Sequence, residues 1–329
     1  MLGAGSWGTA MASLLAAKAP TTLWARRTEL AAEMSSARCN RDYLPDLHLS
    51  AELVVTADLQ EALDTAGVVV MATPSHGFRD VLAKAAPHLA PAVPVVSLAK
   101  GMEHPSLKRM TEVIEEEAPG HPAGVLTGPN LVAEVVAGYP TASVVSVTVD
   151  GSFDDAVASE LQTLFSTDGF RVYTNPDLVG CELGGALKNV VAVASGMADG
   201  MGFGDNTRAA LITRGLAELT RLGVALGGRP LTFAGLTGMG DLVATCTSRK
   251  SRNRWVGEQL GRGVPIAEIM AGTRMVAEGV RTSRPVFELG RRVGLEMPIA
   301  EQVVAVIHEG RKVTECVAAL MQRVMKAEA

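Results

Sequence analysis

A single lysine within a long apolar stretch is the first candidate for chemistry in this chain. Lys188 is the only charged residue between Glu182 and Asp199, and its neighbours are Gly, Ala, Val and Leu. Burial among such residues disfavours the charged ammonium form, so a lysine held in this way can accept a proton near neutral pH. In a purely structural alternative, the aliphatic stem lies along apolar surface and the amine reaches water. This stretch alone favours the structural alternative.

Residues 183–196 have the spacing of a helix with two distinct faces. Lys188 shares one face with Ala192, Ser195 and Asp199. The other face is expected to meet a core, because apolar residues recur on it at intervals of three and four. They are Leu183, Leu187, Val190, Val191 and Ala194. Any chemistry would therefore lie on the face that carries the lysine.

A carboxylate and a basic run follow in the second half of the chain. Asp241 comes directly after Gly238-Met-Gly and before an apolar segment. The run Ser248-Arg-Lys-Ser-Arg-Asn-Arg254 places four basic residues ahead of a predicted short helix. Such a run offers an anion charge-assisted hydrogen bonds and free amide groups, which favours a single small phosphate as its ligand. A solvated charged face is the alternative. A nucleic-acid patch is disfavoured, because interleaved aromatic residues are missing and the chain is acidic.

Glycines near the amino terminus have the spacing of a nucleotide-binding turn. Gly3, Gly5 and Gly8 form the pattern GxGxxG, and an apolar helical run follows them. Such glycines permit a tight turn, close approach of the backbone to a pyrophosphate and close packing of the helix, whose start faces the phosphates. Only Met1 and Leu2 precede the turn. The sequence thus starts inside the strand that should carry the motif, and we expect that strand to be shortened or missing.

The end of the next predicted strand indicates which dinucleotide would be bound. Residues 21–25 are predicted to form the second strand, and Arg26 and Arg27 follow it. An acidic residue at this point would hold a ribose 2′-hydroxyl, whereas the paired donors of a guanidinium suit the additional 2′-phosphate of NADP. NADP is therefore favoured over NAD. Two solvated surface arginines are the alternative.

Four further apolar runs are predicted to be buried parallel strands: residues 68–72, 93–99, 124–127 and 142–147. Ligands of such sheets bind at the carboxyl ends of the strands, so these ends are expected to converge on one cleft. The second run delivers Lys100 to this edge, and the third delivers Gly128-Pro-Asn130. Lys100 could neutralise a phosphate there. A charge on a solvated loop is an equally good interpretation.

Composition indicates a cytoplasmic α/β protein of two domains. The chain has 329 residues, of which 47% are hydrophobic and 34 are glycine, and this length exceeds one comfortable core. The net charge of −5 disfavours nucleic-acid binding. The four cysteines are scattered, which argues against a disulfide framework or a metal site. We expect neither a signal peptide nor an apolar run long enough to span a bilayer, and hence no membrane insertion.

The pattern changes to long helical segments after Pro176. Helices are predicted at residues 205–227, 280–293 and 314–325, with no strand-like runs between them. We therefore predict an α/β N-terminal Rossmann-like domain with a doubly wound sheet, residues 1–176, and an all-α C-terminal domain, residues 177–329, that carries substrate and catalytic groups. Lys188 then lies at the junction of the two domains.

Taken together, the motifs resemble those of bacterial NAD(P)-dependent glycerol-3-phosphate dehydrogenase, whose fold is of the 6-phosphogluconate-dehydrogenase-like type. The matching pieces occur in family order and span nearly the whole chain: Gly3-Ala-Gly-Ser-Trp-Gly-Thr-Ala10, Trp24-Ala-Arg-Arg27, Tyr43-Leu-Pro45, Ala99-Lys-Gly101, Gly128-Pro129 with Glu134, Gly184-Gly-Ala-Leu-Lys-Asn189, Gly238-Met-Gly-Asp-Leu242, Thr245-Cys-Thr-Ser248, Ser251-Arg-Asn-Arg254 and Glu278-Gly-Val-Arg-Thr282.

The resemblance implies reversible hydride transfer between NAD(P)H and dihydroxyacetone phosphate, giving sn-glycerol 3-phosphate for phospholipid synthesis. It implies that Lys188 is the proton acceptor for the alcohol and that Asp241 positions it. The substrate would be bound by both of these and by Lys100, Gly128, Asn130, Ser251, Arg252 and Asn253. The cofactor would be bound by Gly3, Gly5, Ser6, Trp7 and Gly8 at the pyrophosphate turn, by Arg26, Arg27 and Tyr43 near the adenosine, and by Lys100, Val132, Arg252, Val276 and Glu278 toward the closed cleft.

The chain departs from the family pattern after Gly128. The family usually has GPSFA where this chain has Gly128-Pro-Asn-Leu-Val132, so Asn130 replaces a serine and Val132 an alanine. Asparagine also donates and accepts hydrogen bonds, so we expect contact with the substrate to persist in altered geometry.

Two other functions are compatible with a nucleotide fold followed by helices. A dehydrogenase of hydroxy acids would also use a lysine, but its anion site should favour a carboxylate. A non-catalytic NADP-binding sensor would need neither Lys188 nor Asp241. Small residues such as Gly184, Gly185 and Ala192 permit close helix packing within the domain or across a homodimer.

Overall fold

The computed structural model describes residues 1–273 and 277–325. Strands and helices alternate in its first part. In chain order these elements are α1 (Ser6–Ala16), β1 (Thr21–Trp24), α2 (Thr28–Ala37), β2 (Cys39–Asn40), β3 (Leu44–His48), β4 (Leu53–Thr56), α3 (Leu59–Leu63), β5 (Val69–Met71), α4 (Ser75–Ala85), β6 (Val95–Ser97), α5 (Met110–Glu117), β7 (Ala123–Thr127), α6 (Val132–Val136), β8 (Thr141–Val149), β9 (Ser152–Phe153), α7 (Asp155–Phe165) and β10 (Phe170–Thr174).

Two groups of strands meet on either side of Leu2. β1 pairs with β4 in parallel, and a second path runs β10-β8-β7-β6-β5, with β9 attached to β8. Leu2 forms isolated parallel bridges to Trp24 of β1 and to Met71 of β5, and it is fully buried. Its amide donates to the carbonyl of Val70 at 2.8 Å, and its carbonyl accepts from the amide of Ala72 at 2.8 Å. The first strand is thus as short as the sequence predicts, yet it lies in the middle of the sheet.

One of the predicted strands runs in the opposite direction from the expected one. β5, β6 and β7 are parallel, but β8 is antiparallel to β7. The prediction that residues 142–147 deliver their carboxyl end to the cleft is therefore wrong. The physical reason lies in α6, which has five residues and spans only about 7 Å. It cannot carry the chain back along β7, which is about 16 Å long, so β8 starts at the edge where β7 ends.

Beyond Thr174, the described residues form helices and no strands. They are α8 (Leu178–Gly200), α9 (Asp205–Ala225), α10 (Pro230–Ala234), α11 (Asp241–Thr247), α12 (Arg252–Gly261), α13 (Ile266–Ala271), α14 (Glu278–Arg292), α15 (Pro298–Glu309) and α16 (Val313–Met321), with a π-helical turn at Leu236–Gly240. The Rossmann-like sheet and the all-helical part agree with the predicted fold class.

The central helix of the second part is α8, and α12 crosses it at close range. A Cβ added to Gly196 of α8 would lie 1.9 Å from the carbonyl oxygen of Arg254, and one added to Gly257 would lie 2.0 Å from that of Val193. Only glycine permits two backbones to approach in this way. The crossing brings the start of α12 beside the helix that carries Lys188.

By length and composition, α8 could cross a membrane, which differs from the expectation that the chain lacks such a run. Within the molecule, however, 89% of its most apolar window is buried. The apolar residues of α8 therefore serve the core of the second part.

Candidate active site

A cleft of about 750 Å³ separates the carboxyl edge of the sheet from the helical part. Most of the residues that the sequence predicts for the site line this cleft. They are Gly3, Gly5, Ser6, Trp7, Arg26, Arg27, Tyr43, Lys100, Asn130, Val132, Lys188, Asp241, Ser251, Arg252, Asn253 and Glu278.

Among the residues that the structure describes, two of those predicted for the site, Gly8 and Gly128, are not part of the lining. Gly8 lies beneath the turn, where an added Cβ would meet the carbonyl oxygen of Gly3 at 2.0 Å. The carbonyl oxygen of Gly128 accepts a hydrogen bond from the Lys100 amine. Val276 lies outside the described residues.

Lys188 is buried at the wall of the cleft rather than extended into open water. Lys188 is only 4% exposed, which excludes the structural alternative in which its amine reaches bulk solvent. The amine donates to Oδ1 of Asp241 and, at 2.6 Å, to Oγ1 of Thr245. The carboxylate stabilises the charge that burial would otherwise penalise.

A second lysine shares the same carboxylate. The Lys100 amine donates to Oδ2 of Asp241 at 2.7 Å, to the Gly128 carbonyl at 2.7 Å and to Oδ1 of Asn130 at 2.6 Å. Burial lowers the pKa of Lys100 to about 7, and the nearby charge of Lys188 acts in the same direction while Asp241 opposes both. Lys100 is thus not a solvated loop charge. It is an ammonium group that can lose its proton near neutral pH.

Two residues that the sequence analysis gave no role complete this cluster. Thr245 accepts from Lys188 and donates to the carbonyl of Asp241 at 2.6 Å. Asn189 donates from its amide to the carbonyl oxygen of Lys100 at 2.8 Å. Their signals were positional: Thr245 stands one helical turn after Asp241, and Asn189 directly follows Lys188.

The start of α12 forms a second wall of the cleft. Ser251 caps this helix by accepting the amide of Arg254 at 3.3 Å. Burial lowers the pKa of the Arg252 guanidinium, and the carboxylate of Glu278 partly offsets this effect. The positive end of a helix, one hydroxyl and one guanidinium therefore face the same space, which suits an anion.

The side chain of Asn253 ties this wall to its neighbours. It donates to Oδ1 of Asn189 at 2.8 Å and accepts the amide of Gly279 at 2.9 Å. Asn253 therefore links α12 to α8 and to the beginning of α14. A role for Asn253 toward a ligand would be combined with this structural one.

The glycine turn leaves room for a pyrophosphate at the start of α1. Gly3 has φ 119°, and a Cβ there would lie 2.9 Å from the backbone of Ala72. No side chain caps α1, whose N-cap is Gly5, and nothing lies within 4 Å of a Cβ added to Gly5. The first amides of α1 thus remain open to an anion, so this chain's own backbone fits a dinucleotide.

Basic residues surround the far end of the cleft. Arg26 and Arg27 are exposed there, and Arg27 forms an ion pair with Asp42. The hydroxyl of Ser6 donates to the carbonyl of Tyr43 at 2.8 Å, which fixes the segment that carries this aromatic ring.

Glu278 connects the two sides of the cleft. Oε1 accepts the amide of Ser75 at 3.1 Å, and Oε2 accepts its hydroxyl at 2.8 Å. Burial raises the pKa of Glu278, while Ser75 and two arginines lower it. The family resemblance implies a role for Glu278 toward the cofactor, and the residue lies at the start of α14 on the lining of the cleft.

Models of known protein families match both parts of the chain. The model of the N-terminus of NAD-dependent glycerol-3-phosphate dehydrogenase matches residues 1–152, and the model of the C-terminus matches residues 177–318.

Relatives of known name cover nearly the whole chain. It is 57% identical over 303 residues to glycerol-3-phosphate dehydrogenase (NAD(P)+) 2 of Sphingopyxis alaskensis, covering 92% of this chain and 90% of the relative. It is 50% identical to the glycerol-3-phosphate dehydrogenase (NAD(P)+) of Geobacter sulfurreducens over 100% of this chain and 98% of that protein. A crystal structure of glycerol-3-phosphate dehydrogenase from Coxiella burnetii is similar to it at a TM-score of 0.93 and 36% identity, covering 98% of both chains.

Proposed function

The chain belongs to the NAD-dependent glycerol-3-phosphate dehydrogenase family, and we propose on this premise that it interconverts dihydroxyacetone phosphate and sn-glycerol 3-phosphate with NAD(P)H or NAD(P)+. The observation that carries the proposal is the cluster of Lys188, Asp241 and Lys100 in the cleft. Such a cluster supplies proton transfer and charge stabilisation within one pocket.

Lys188 is the acid and base of the proposed reaction. In the reducing direction its ammonium group donates a proton to the carbonyl oxygen of the substrate, and in the oxidising direction its amine accepts the proton of the alcohol. A nicotinamide held in the cleft would supply the hydride in the reducing direction and take it in the oxidising direction. Asp241 and Thr245 hold the Lys188 amine in place through the two bonds described above, and Asp241 also holds Lys100 beside it.

The phosphate of the substrate would bind at the start of α12. Ser251, Arg252 and Asn253 lie there on the wall of the cleft, and Asn130 and Gly128 lie next to Lys100. A phosphate held away from the reacting carbon orients that carbon toward the nicotinamide and toward Lys188. This arrangement favours a phosphoester over a hydroxy acid, whose carboxylate carries less charge.

The cofactor would lie along the opposite wall. Its pyrophosphate would contact the turn from Gly3 to Gly8 and the open amides of α1, together with Ser6 and Trp7. Its adenosine would lie near Tyr43, and Arg26 and Arg27 would favour the 2′-phosphate of NADP. Val132, Arg252 and Glu278 line the remainder of the cleft, and Lys100 would stand between cofactor and substrate.

The remaining features of this proposal concern the whole protein. We infer a division into an N-terminal domain of residues 1–176 and a C-terminal domain of residues 177–329, a homodimer and a cytoplasmic location. We expect a role in supplying the phospholipid backbone and no binding of nucleic acid.

The proposal is tested by NADPH oxidation, followed by absorbance, with dihydroxyacetone phosphate beside unphosphorylated dihydroxyacetone. We expect kcat/KM to fall at least about a hundredfold without the phosphate, with a loss in kcat as well as in KM, because remote binding energy is used for positioning. Equal rates with both ketones would contradict the phosphate site. Tight NADPH binding without any turnover would instead favour the sensor.

A further inference from the structure

Lys100 stands at the start of a connection that runs from β6 to α5. The connection leads into α5, and we refer to residues 100–111, which include Thr111 in the first turn of α5, as the 100–111 segment. The backbone carbonyl of Lys100 accepts a hydrogen bond from the side-chain amide of Asn189 at 2.8 Å. At the other end, the amide of Thr111 donates to Oε1 of Glu182 at 3.0 Å. Helix α8 therefore holds the segment at both ends.

The two holding residues lie on one face of α8. Glu182 and Asn189 are seven residues apart, which is about two turns of a helix. Gly185 lies between them, and a Cβ there would meet Oγ1 of Thr127 at 2.6 Å and Cγ of Lys100 at 3.6 Å. This face of α8 thus packs directly on the sheet domain and on the stem of Lys100.

The middle of the segment contributes two side chains to the apolar core of the helical part. Met102 and Leu107 are each 5% exposed and belong to the same buried apolar cluster as Leu183 and Leu187. The 100–111 segment therefore contacts α8 at both ends and shares the core of the helical part, although it follows a strand of the sheet.

Glu182 caps the first turn of α5 from another helix, since it accepts the backbone amide of Thr111. The side chain of Glu112 accepts a different amide, that of Arg109, at 2.8 Å. Glu182 reaches from the other side of the interface, accepts from the Thr111 hydroxyl and from the Arg109 guanidinium, and is 8% exposed. A buried carboxylate is expensive to desolvate unless it is fully paired. Here the partners of the Glu182 carboxylate, Arg109 and Thr111, lie in the sheet part, whereas Glu182 lies on α8 of the helical part. The pairing therefore connects the two parts.

We propose that Glu182 is a positioning residue: through Thr111 and Arg109 it fixes the 100–111 segment on α8, so that the Lys100 ammonium group is held against Asp241 in the cleft. The inference rests on the proposed function. Glu182 itself does not line the cleft. Its effect on the reaction would pass through the backbone of the segment and through Lys100.

Glu182→Gln is the informative substitution. Glutamine has nearly the same shape and keeps an oxygen for the Thr111 amide, but it removes the charge that pairs with Arg109. If the segment shifts by about 1 Å, kcat/KM for dihydroxyacetone phosphate should fall by roughly ten- to hundredfold. The Kd for NADPH should change much less than kcat/KM, because the glycine turn, Arg26 and Tyr43, which would hold the pyrophosphate and the adenosine, lie outside the segment.

A matched control is available on α9. Glu218 is also a buried carboxylate that accepts the first amides of a helix, with Ile299 at 2.8 Å. It lies in the helical core and does not line the cleft. Glu218→Gln should therefore leave kcat, KM and the NADPH Kd unchanged in folded protein, even if the midpoint of thermal unfolding moves.

Two substitutions of Thr111 separate positioning from folding. Thr111→Val removes the hydroxyl that Glu182 holds while it keeps the volume and the amide, so kcat/KM should fall as for Glu182→Gln. Thr111→Ser restores the hydroxyl and should return kcat/KM to within about twofold of the parent. This pair decides the matter if Glu182→Gln does not fold.

The expected pattern is a loss for Glu182→Gln and Thr111→Val, recovery for Thr111→Ser and no change for Glu218→Gln. Parental kcat/KM in Thr111→Val would overturn the inference, as would an equal loss in Glu218→Gln. If the parent protein itself fails to reduce dihydroxyacetone phosphate, the proposed function fails instead, and the two failures are thereby distinguished.

Discussion

Replacing Lys100 by methionine tests whether the cleft holds this amine in a poorly solvated place. The side chain is 16% exposed and shares Asp241 with Lys188. Burial lowers the pKa of Lys100 from 10.5 to about 7. In the unfolded chain the amine keeps its proton up to much higher pH. Methionine fills a similar volume and has no proton to lose.

The sign and size of the effect follow from this difference in pKa. Between about pH 7 and pH 10.5 the unfolded chain binds the proton of Lys100 and the folded protein does not. The free energy of unfolding of the parent therefore rises with pH in this range, by up to about 1.4 kcal/mol per pH unit. Integrated from pH 7 to pH 9, the parent should gain about 2 kcal/mol relative to Lys100→Met.

Urea unfolding of both proteins at about pH 7 and pH 9 measures the change. The difference in unfolding free energy between parent and Lys100→Met cancels the contributions of the titratable groups that both proteins share. From pH 7 to pH 9 this difference should change by about 2 kcal/mol in favour of the parent. Lys84→Met is the control, since Lys84 is exposed on α4, and its difference from the parent should stay flat. A flat difference for Lys100→Met would refute the burial argument.

Three further predictions concern packing, charge and cofactor choice. Gly257→Ala should destabilise the fold by about 1 to 3 kcal/mol and lower kcat/KM, because its Cβ would meet the carbonyl of Val193 at 2.0 Å. Denaturant unfolding measures this loss. The control, Gly67→Ala, should show no such loss, because nothing lies within 4 Å of a Cβ at Gly67. Burial raises the pKa of Glu218 from 4.5 to about 7. As the pH rises from about 5 to 8, the free energy of unfolding of the parent should therefore fall by roughly 2 to 3 kcal/mol relative to that of Glu218→Gln. Parallel plots of unfolding free energy against pH for the two proteins would contradict this. Arg26→Ser combined with Arg27→Ser should lower the ratio of kcat/KM for NADPH to that for NADH by about tenfold or more, and an unchanged ratio would show that neither arginine meets the 2′-phosphate.

Most of the residues that line the cleft could be selected from the sequence because their signals are local. The turn from Gly3 to Gly8 has a fixed spacing, and the isolated charge of Lys188 is visible without a structure. The same holds for the basic run at the start of α12. Local patterns fix which residue types lie at a strand end or at a helix start, and this suffices to find a cleft.

The connections between these residues were not predictable, because they depend on distant parts of the chain. In the sequence, Glu182 marks only the boundary of a stretch whose single charge is Lys188, yet it binds Thr111 across the interface. The shared use of Asp241 by two lysines needs the packing of three elements. Helices as short as α10 and α13, with five and six residues, are too short to display a helical period.

The direction of β8 escaped prediction for a related reason. An apolar strand pattern is the same in both directions, so only the connection decides between parallel and antiparallel pairing. The short α6 contains that information, but its five residues gave no helical signal of their own.

Single-turnover NADPH oxidation by Lys188→Met tests the central claim most directly, namely that Lys188 transfers the proton. With dihydroxyacetone phosphate saturating, the rate of the chemical step should fall by about a hundred- to ten-thousandfold, while NADPH still binds with a Kd within a few fold of the parent. A rate within tenfold of the parent would contradict the account and assign the proton transfer to another group of the cleft.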